Sequence, residues 1–375
     1  MSSNRAGLGL ALALLLALPA AAQMPPPRAM LHSKFIDDCG PKILSDELCR
    51  LPVDFEADEA EAHLKDADLA YWINGQTLNI AARAQADEAV LEGSIDEGMT
   101  PLSTRRPMWG AAYRLTAIDR AIVELKLRGH PGAEIVWRGP NAPPAPPSSA
   151  ALAGQLERID IKSAAIGPRQ LQVYVPPGRA PSGGWPVVIA AGIEDIAPYA
   201  AIADALIQQR RIRPVAVVSL GTGEGQYLRG TDPDAFFRHR LFVQREALPL
   251  VEKRLHLASG AGSRLLLGIG AGGDWVLDMV AHDPTMAAQI AAFSPPGLAE
   301  FPFRNRKLTL YLQAGTFEPP YLKGARSTCN LAGASNAICR LDVTASGHAP
   351  LIWQAEWAKV LGQVFPANRA QAAKR

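Results

Sequence analysis

A chain of 375 residues, 48% hydrophobic and 20% charged, has the balance of a folded core and excludes wholesale disorder. With 38 Lys and Arg against 36 Asp and Glu, the net charge is +2, which provides neither a basic field for nucleic acid nor an acidic one. The length points to one large or two unequal domains, and 4 cysteines are too few for a disulfide-scaffolded miniprotein.

Residues 1–22 form an apolar leader with Arg5 as its one charge and Ala20-Ala21-Ala22 at its end. The unbroken apolar part, Leu8 to Ala22, is roughly 15 residues, short of the ~20 that span a bilayer. The expectation is a cleaved signal peptide and an exported protein, periplasmic or extracellular, with no stable membrane span after cleavage. The alternative is an uncleaved N-terminal anchor. An oxidising compartment permits disulfides, and Cys39/Cys49 and Cys329/Cys339 form two equally spaced local pairs. Two local loops are the simplest of the possible pairings. A zinc site is the rival, but C-x-x-C spacing and nearby histidines are both missing.

Residues 24–66 are charged, and LSDELCRL and EADEAEAHLKDADL have helix-forming composition, so a partly helical segment is expected. From 67 to 138 the texture changes to short apolar runs punctuated by glycine and proline (LAYWI, TLNIAAR, WGAAYRL, AIVELKL), which predicts a small antiparallel β-sandwich. Trp109 and Trp137 in that stretch could form a sugar platform or ordinary packing. Residues 139–151, GPNAPPAPPSSAA, read as a stiff Pro/Ala linker.

Residues 152–368 alternate strand and helix patterns. RIDIKSA and RQLQVYV suggest an antiparallel pair. WPVVIAAG, RPVAVVSLG, RLLLGIG, IAAFSP, KLTLYLQAG and CRLDVTA read as strands, with helices over Ile196–Gln209, Pro233–Leu255, Asp274–His282 and Leu351–Val364. This predicts an α/β fold, a mainly parallel sheet with helices on both faces, whose sites sit at the carboxyl ends of the strands.

Gly268-Ile269-Gly270-Ala271-Gly272-Gly273 joins a strand to a helix. It satisfies G-x-G-x-x-G, but the next strand ends in Phe293-Ser294-Pro295-Pro296 and lacks the acidic residue a ribose needs, so no dinucleotide is expected. It also fits the glycine places of a nucleophile elbow, G-x-S-x-G, with Gly270 standing in the serine's place. A glycine turn serving close packing alone is the competing reading. Elbow enzymes run nucleophile, acid, histidine along the chain. Glu318 follows the next-but-one strand and His348 precedes the last helix, in that order. The 7 histidines show no metalloprotease spacing, so no catalytic metal and no cofactor are expected.

From about Arg158 to Val364 the chain resembles the putative esterase family, the esterase-D and enterochelin-esterase-like branch of the α/β-hydrolases. The resemblance rests on VYVPP, WPVVIAAG, RIRPVAVVSL, YLRGTDPDAFFRH, GIGAGG, SPP, AGTFEPP and SGHAPLIW in that order. It implies an α/β-hydrolase sheet preceded by a small immunoglobulin-like β-sandwich. It also implies His348 as general base, Glu318 as its orienting acid, and oxyanion donors from the backbone of Ala271 and of Gly192 or Ile193. The elbow serine has no counterpart, because Gly270 stands there. Tyr227, Arg229 and Asp232 lie in a loop that could wall a substrate pocket or be held by ordinary hydrogen bonds.

Glycine offers no oxygen to attack an acyl carbon, and triad enzymes stripped of a member keep only roughly 10³–10⁴-fold catalysis over water. Three functions follow. The first is an esterase-lineage protein that binds a small-molecule ester or acyl ligand, possible siderophore types included, without efficient turnover. The second is a working hydrolase using water or another serine, with Ser263, Ser294 and Ser346 as candidates. The third is a structural or interaction module whose protein partner the sequence does not identify.

Overall fold

The computed structural model describes residues 48–85, 87–103, 106–115, 117–221, 234–297 and 308–367. The leader 1–22, the rest of the chain before Leu48 with Cys39, and Tyr227, Arg229 and Asp232 lie outside the described residues.

The first half is built of two antiparallel sheets. One contains β1 (Leu48–Leu51), β2 (Leu69–Asn74), β3 (Thr77–Arg83), β6 (Thr100–Pro101) and β7 (Met108–Leu115), in the order β1-β7-β3-β2 with β6 also on β7. The other contains β4 (Val90–Gly93), β5 (Glu97–Gly98), β8 (Ile122–Leu127) and β9 (Glu134–Arg138), in the order β5-β4-β8-β9. Alternation in β3 explains the layering. Leu78, Ile80 and Ala82 face a core shared with Leu91, Val123, Leu125 and Ile135 of the second sheet. Ala81, together with Met108 of β7, faces the opposite way, where Ala60 and Leu64 of helix α1 (Ala57–Leu64) cover it.

LSDELCRL departs from its helical composition. Its described part, Leu48–Leu51, is a strand paired with Ala112–Leu115 of β7. Propensity is a weak prior, and an open sheet edge offers this short segment backbone partners that an isolated turn of helix lacks. The two tryptophans are packing residues. Trp109 is buried with its indole N–H donated to Ala84 O, and Trp137 donates to Ile118 O while its ring meets Tyr71 edge-on.

The second half is one 8-stranded sheet, in the order β10-β11-β13-β12-β14-β15-β16-β17. Its strands are β10 (Gln155–Ser163), β11 (Gly167–Val175), β12 (Val187–Ala191), β13 (Ala216–Ser219), β14 (Arg264–Ile269), β15 (Gln289–Phe293), β16 (Thr309–Gly315) and β17 (Ile338–Thr344). The β10–β11 and β11–β13 pairs are antiparallel and the rest parallel. Both faces are apolar because both are covered. On β12, Val187, Ile189 and Ala191 point to one core while Val188 and Ala190 point to the other.

Helices α3 (Ala235–Phe242), α4 (Leu248–Leu255), α5 (Ala271–His282) and α6 (Pro319–Ala334) contribute to the first core. Helices α2 (Ala197–Gln208) and α7 (Pro350–Val364) contribute to the second. The helical pattern expected over Pro233–Leu255 is interrupted by a wide π-turn at Val243–Ala247. Pro249 has no N–H for the Arg245 carbonyl four residues back, and its ring would strike that carbonyl in a regular helix. The wider turn absorbs the mismatch.

Candidate active site

The elbow takes its shape from backbone against backbone. A side-chain carbon at Gly268 would lie 2.1 Å from Gly272 O, and one at Gly272 would lie 2.6 Å from Ala191 O. Only hydrogen fits at either place, so β14 can turn sharply into α5 while the helix start presses on the end of β12. Gly270 sits at the apex with φ 55° and ψ −126°, a conformation L-residues hold only under strain. Its N–H donates to Phe293 O at 2.9 Å, and its carbonyl accepts from Gly273 N at 2.8 Å.

The direction a side chain would take from Gly270 leads to the histidine. The Cβ position there is 3.4 Å from His348 Nε2 and 3.5 Å from its Cε1. On the far side of the ring, Nδ1 lies 2.9 Å from Glu318 Oε2. Glu318 is buried, and its other oxygen accepts from the Ser294 hydroxyl and from Gly315 N–H, both at 2.7 Å. Three groups therefore converge on one carboxyl, which serves as acceptor throughout. The hydrogen of the imidazole then sits on Nδ1, and the lone pair on Nε2 faces Gly270.

Ring packing fixes the imidazole. Tyr321 stacks on it at 4.6 Å between centroids, and Trp353 meets it edge-on at 4.6 Å. Trp353 also donates its indole N–H to Ser294 Oγ at 2.9 Å, which closes a circuit of histidine, glutamate, serine and tryptophan. Burial pushes the Tyr321 phenol above its ordinary range, and the negative charge of Glu318 pushes it further. It therefore stays neutral beside the acid.

Of the residues expected at the site, Gly270, Ala271, Gly192, Glu318 and His348 come together. Ala271 opens α5, so its N–H has no carbonyl within the helix to meet. Gly192 has φ 77°, and a Cβ there would lie 2.5 Å from Ile269 O, which places it directly against the elbow. Ile193 follows it, buried, with its carbonyl accepting from Ser219 Oγ. The substitute serines are otherwise engaged. Ser263 precedes β14, at the opposite end of the strand from Gly270, and bonds three local carbonyls. Ser294 serves Glu318, and the buried Ser346 pairs its hydroxyl with Thr344.

Sequence reading did not bring Tyr321 into the site. The signal was its spacing, since a residue three places after Glu318 at a helix start returns to the same face. Cys329 and Cys339 form a disulfide that ties α6 to β17. Cys49 is likewise disulfide-bonded. Among the described residues, no cluster of three or more His, Cys, Asp or Glu is placed to hold a metal, and no helix is long and apolar enough to cross a membrane.

Solved structures share this architecture. The ferric enterobactin esterase of Salmonella typhimurium superposes with a TM-score of 0.62 at 15% identity, covering 79% of this chain and 96% of that one. The enterobactin esterase of Shigella flexneri, solved in the presence of enterobactin, gives 0.60 at 14% identity, with 83% and 99% covered. At such identity the likeness is one of fold. No curated protein sequence matches the chain. The sequence profile of the family described as Putative esterase matches residues 163–359, more than half of the chain and the whole stretch from the end of β10 into α7. The chain belongs to the Putative esterase family.

Proposed function

We propose that this is an exported protein of the α/β-hydrolase fold, with an immunoglobulin-like sandwich ahead of it. In this reading it keeps the acid, the base and the oxyanion backbone of an esterase but has a vacated nucleophile place at Gly270. It binds a carboxylic ester or acyl ligand, of the kind represented by the enterobactin present with the Shigella flexneri enzyme, and does not turn it over efficiently. The observation that carries this reading is the alignment of the Gly270 Cβ position, His348 Nε2 and Glu318 Oε2, with separations of 3.4 Å from Cβ to Nε2 and 2.9 Å from Nδ1 to Oε2. The disulfide bonds support export, since they persist in oxidising compartments.

In a working relative of this geometry the histidine takes the nucleophile's proton as its oxygen attacks the acyl carbon. Backbone N–H groups then hold the resulting oxyanion. Here Nε2 has no hydroxyl to deprotonate, while Ala271 and Gly192 or Ile193 remain as candidates to grip an acyl oxygen. A second reading rests on the same direction of His348 Nε2 toward Gly270: the histidine would activate a water bound beside that glycine rather than a serine hydroxyl.

The test is Gly270→Ser, assayed on short p-nitrophenyl esters and with a fluorophosphonate probe. We expect esterase activity at least about 100-fold above the parent, together with covalent labelling of the introduced hydroxyl. A folded variant with neither would overturn the reading of Gly270 as a vacated attack position.

A further inference from the structure

The N-terminal sheets touch the second half of the molecule at the histidine loop. Gly93 has φ 118°, and a Cβ there would lie 2.4 Å from Glu124 O, so β4 and β8 are locked together at this point. Ser94 N–H donates to Glu124 O at 2.8 Å, and Glu124 N–H returns a bond to Ser94 Oγ at 2.9 Å. This rigid corner faces the loop that carries His348. A Cβ on Gly347 would lie 1.9 Å from Ser94 O, so the two backbones are in direct contact. Ile122 N–H donates to Ala345 O at 2.9 Å, and Ile122 forms a parallel bridge with Ser346.

The other side of His348 is held as well. Ala349, at the N-cap of α7, has no side-chain cap, and the Glu124 carboxylate accepts from Leu351 N–H at 3.2 Å. An acidic group at a helix N-terminus satisfies an orphan donor and complements the helix dipole. Here that group comes from the other half of the protein. The acid is tied in the same way, because Phe317, immediately before Glu318, is buried in the core of the N-terminal sheets. The elbow glycines, by contrast, pack on their own sheet and helix, against Ala191, Ala292 and Pro295.

We propose that Ser94 and Glu124 are positioning residues for the base: the N-terminal sheets hold the Ser346–Leu351 segment from both sides of His348 and thereby keep its imidazole on Glu318 and aimed at Gly270. The inference rests on the reading of His348 as the base. It assigns the N-terminal unit a role in the site rather than one of mere attachment.

The experiment reads the ¹⁵N shifts of the neutral His348 imidazole in the full-length protein, which report whether Nδ1 or Nε2 carries the hydrogen. Glu124→Ala removes the acceptor. Leu351→Pro removes the donor, at a helix position where α6 already accepts Pro319-Pro320. Both variants should shift His348 from the Nδ1–H form toward the Nε2–H form. Glu124→Gln, whose amide oxygen can still accept, and Leu351→Ala, which keeps its N–H, should leave it unchanged. In the Gly270→Ser background the two disruptive variants should lower kcat about tenfold with KM unchanged. Unaltered shifts in both disruptive variants, or the same change in all four, would overturn the proposal. The shifts report on His348 whether or not any ester is turned over, so failure of the esterase reading is seen separately.

Discussion

The two sides of the site are built by opposite means. The elbow is held by backbone packing: Gly268 against Gly272, Gly272 against Ala191, and the Gly270 N–H on Phe293 O. The acid–histidine side is held by side-chain hydrogen bonds, with the buried Glu318 and Ser294 and the half-buried Trp353 linked in a circuit around His348. The difference means that, on the proposed reading of Gly270 as a vacated place, the turn would keep its shape without a serine side chain. No side chain at position 270 is needed to shape the turn, whereas Glu318, Ser294 and Trp353 each satisfy a polar group of another. A buried carboxyl left without donors is costly, by roughly 1–3 kcal/mol per lost partner and more for a charge.

The largest effect that probes this comparison is His348→Ala in the Gly270→Ser background. If the acid–histidine side is a working base waiting for an oxygen, this second change should cost about 10³-fold or more in kcat, measured on the same p-nitrophenyl esters. Equal rates with and without the histidine would mean that the introduced hydroxyl acts unaided, and the two sides would have to be treated as unrelated.

The division also governs what could be read from the sequence. WPVVIAAG and RLLLGIG are legible as strands because a strand covered on both faces is a continuous apolar run that must stop at glycine. Gly268 and Gly272 are legible as a tight strand-to-helix turn because close approach leaves no choice of residue. The meeting of His348 and Glu318 is legible through their order along the chain, though their order says nothing of the contacts that hold them. The contacts of Ser94, Glu124 and Phe317 with the site are not. They join segments far apart in the chain, and a hydrogen bond between a loop and a helix start imposes no periodicity on either. Leu48–Leu51 was illegible for a related reason: four residues too short for a pattern become a strand only because β7 has an open edge.

A smaller effect tests the elbow side alone. Gly272→Ala would put its methyl group 2.6 Å from Ala191 O and 2.9 Å from Gly192 N, with backbone rather than a flexible side chain in the way. Overpacking of this kind costs about 1–3 kcal/mol, which should appear as a lower urea midpoint with an unchanged slope. Retained stability would show that the turn has room to relax and that its shape does not depend on close approach.

The smallest effect tests the other side, at Ser294, which combines two features that can be separated. Its hydroxyl donates to Glu318 and accepts from Trp353, and its backbone lies at φ 48°, where a Cβ is unfavourable. Ser294→Ala removes the hydroxyl and keeps the strain, for a loss of about 1–2 kcal/mol. Ser294→Gly removes the same hydroxyl but releases the left-handed backbone, which offsets about 1 kcal/mol of that loss. Stability by urea unfolding should therefore rank parent above Ser294→Gly above Ser294→Ala. In the Gly270→Ser background both should lower kcat only a few-fold, because Glu318 still holds Gly315 N–H and the imidazole. Were Ser294→Ala as stable as the parent, the hydroxyl would not be supporting the acid, and the circuit around His348 would be a geometric coincidence rather than what holds it in place.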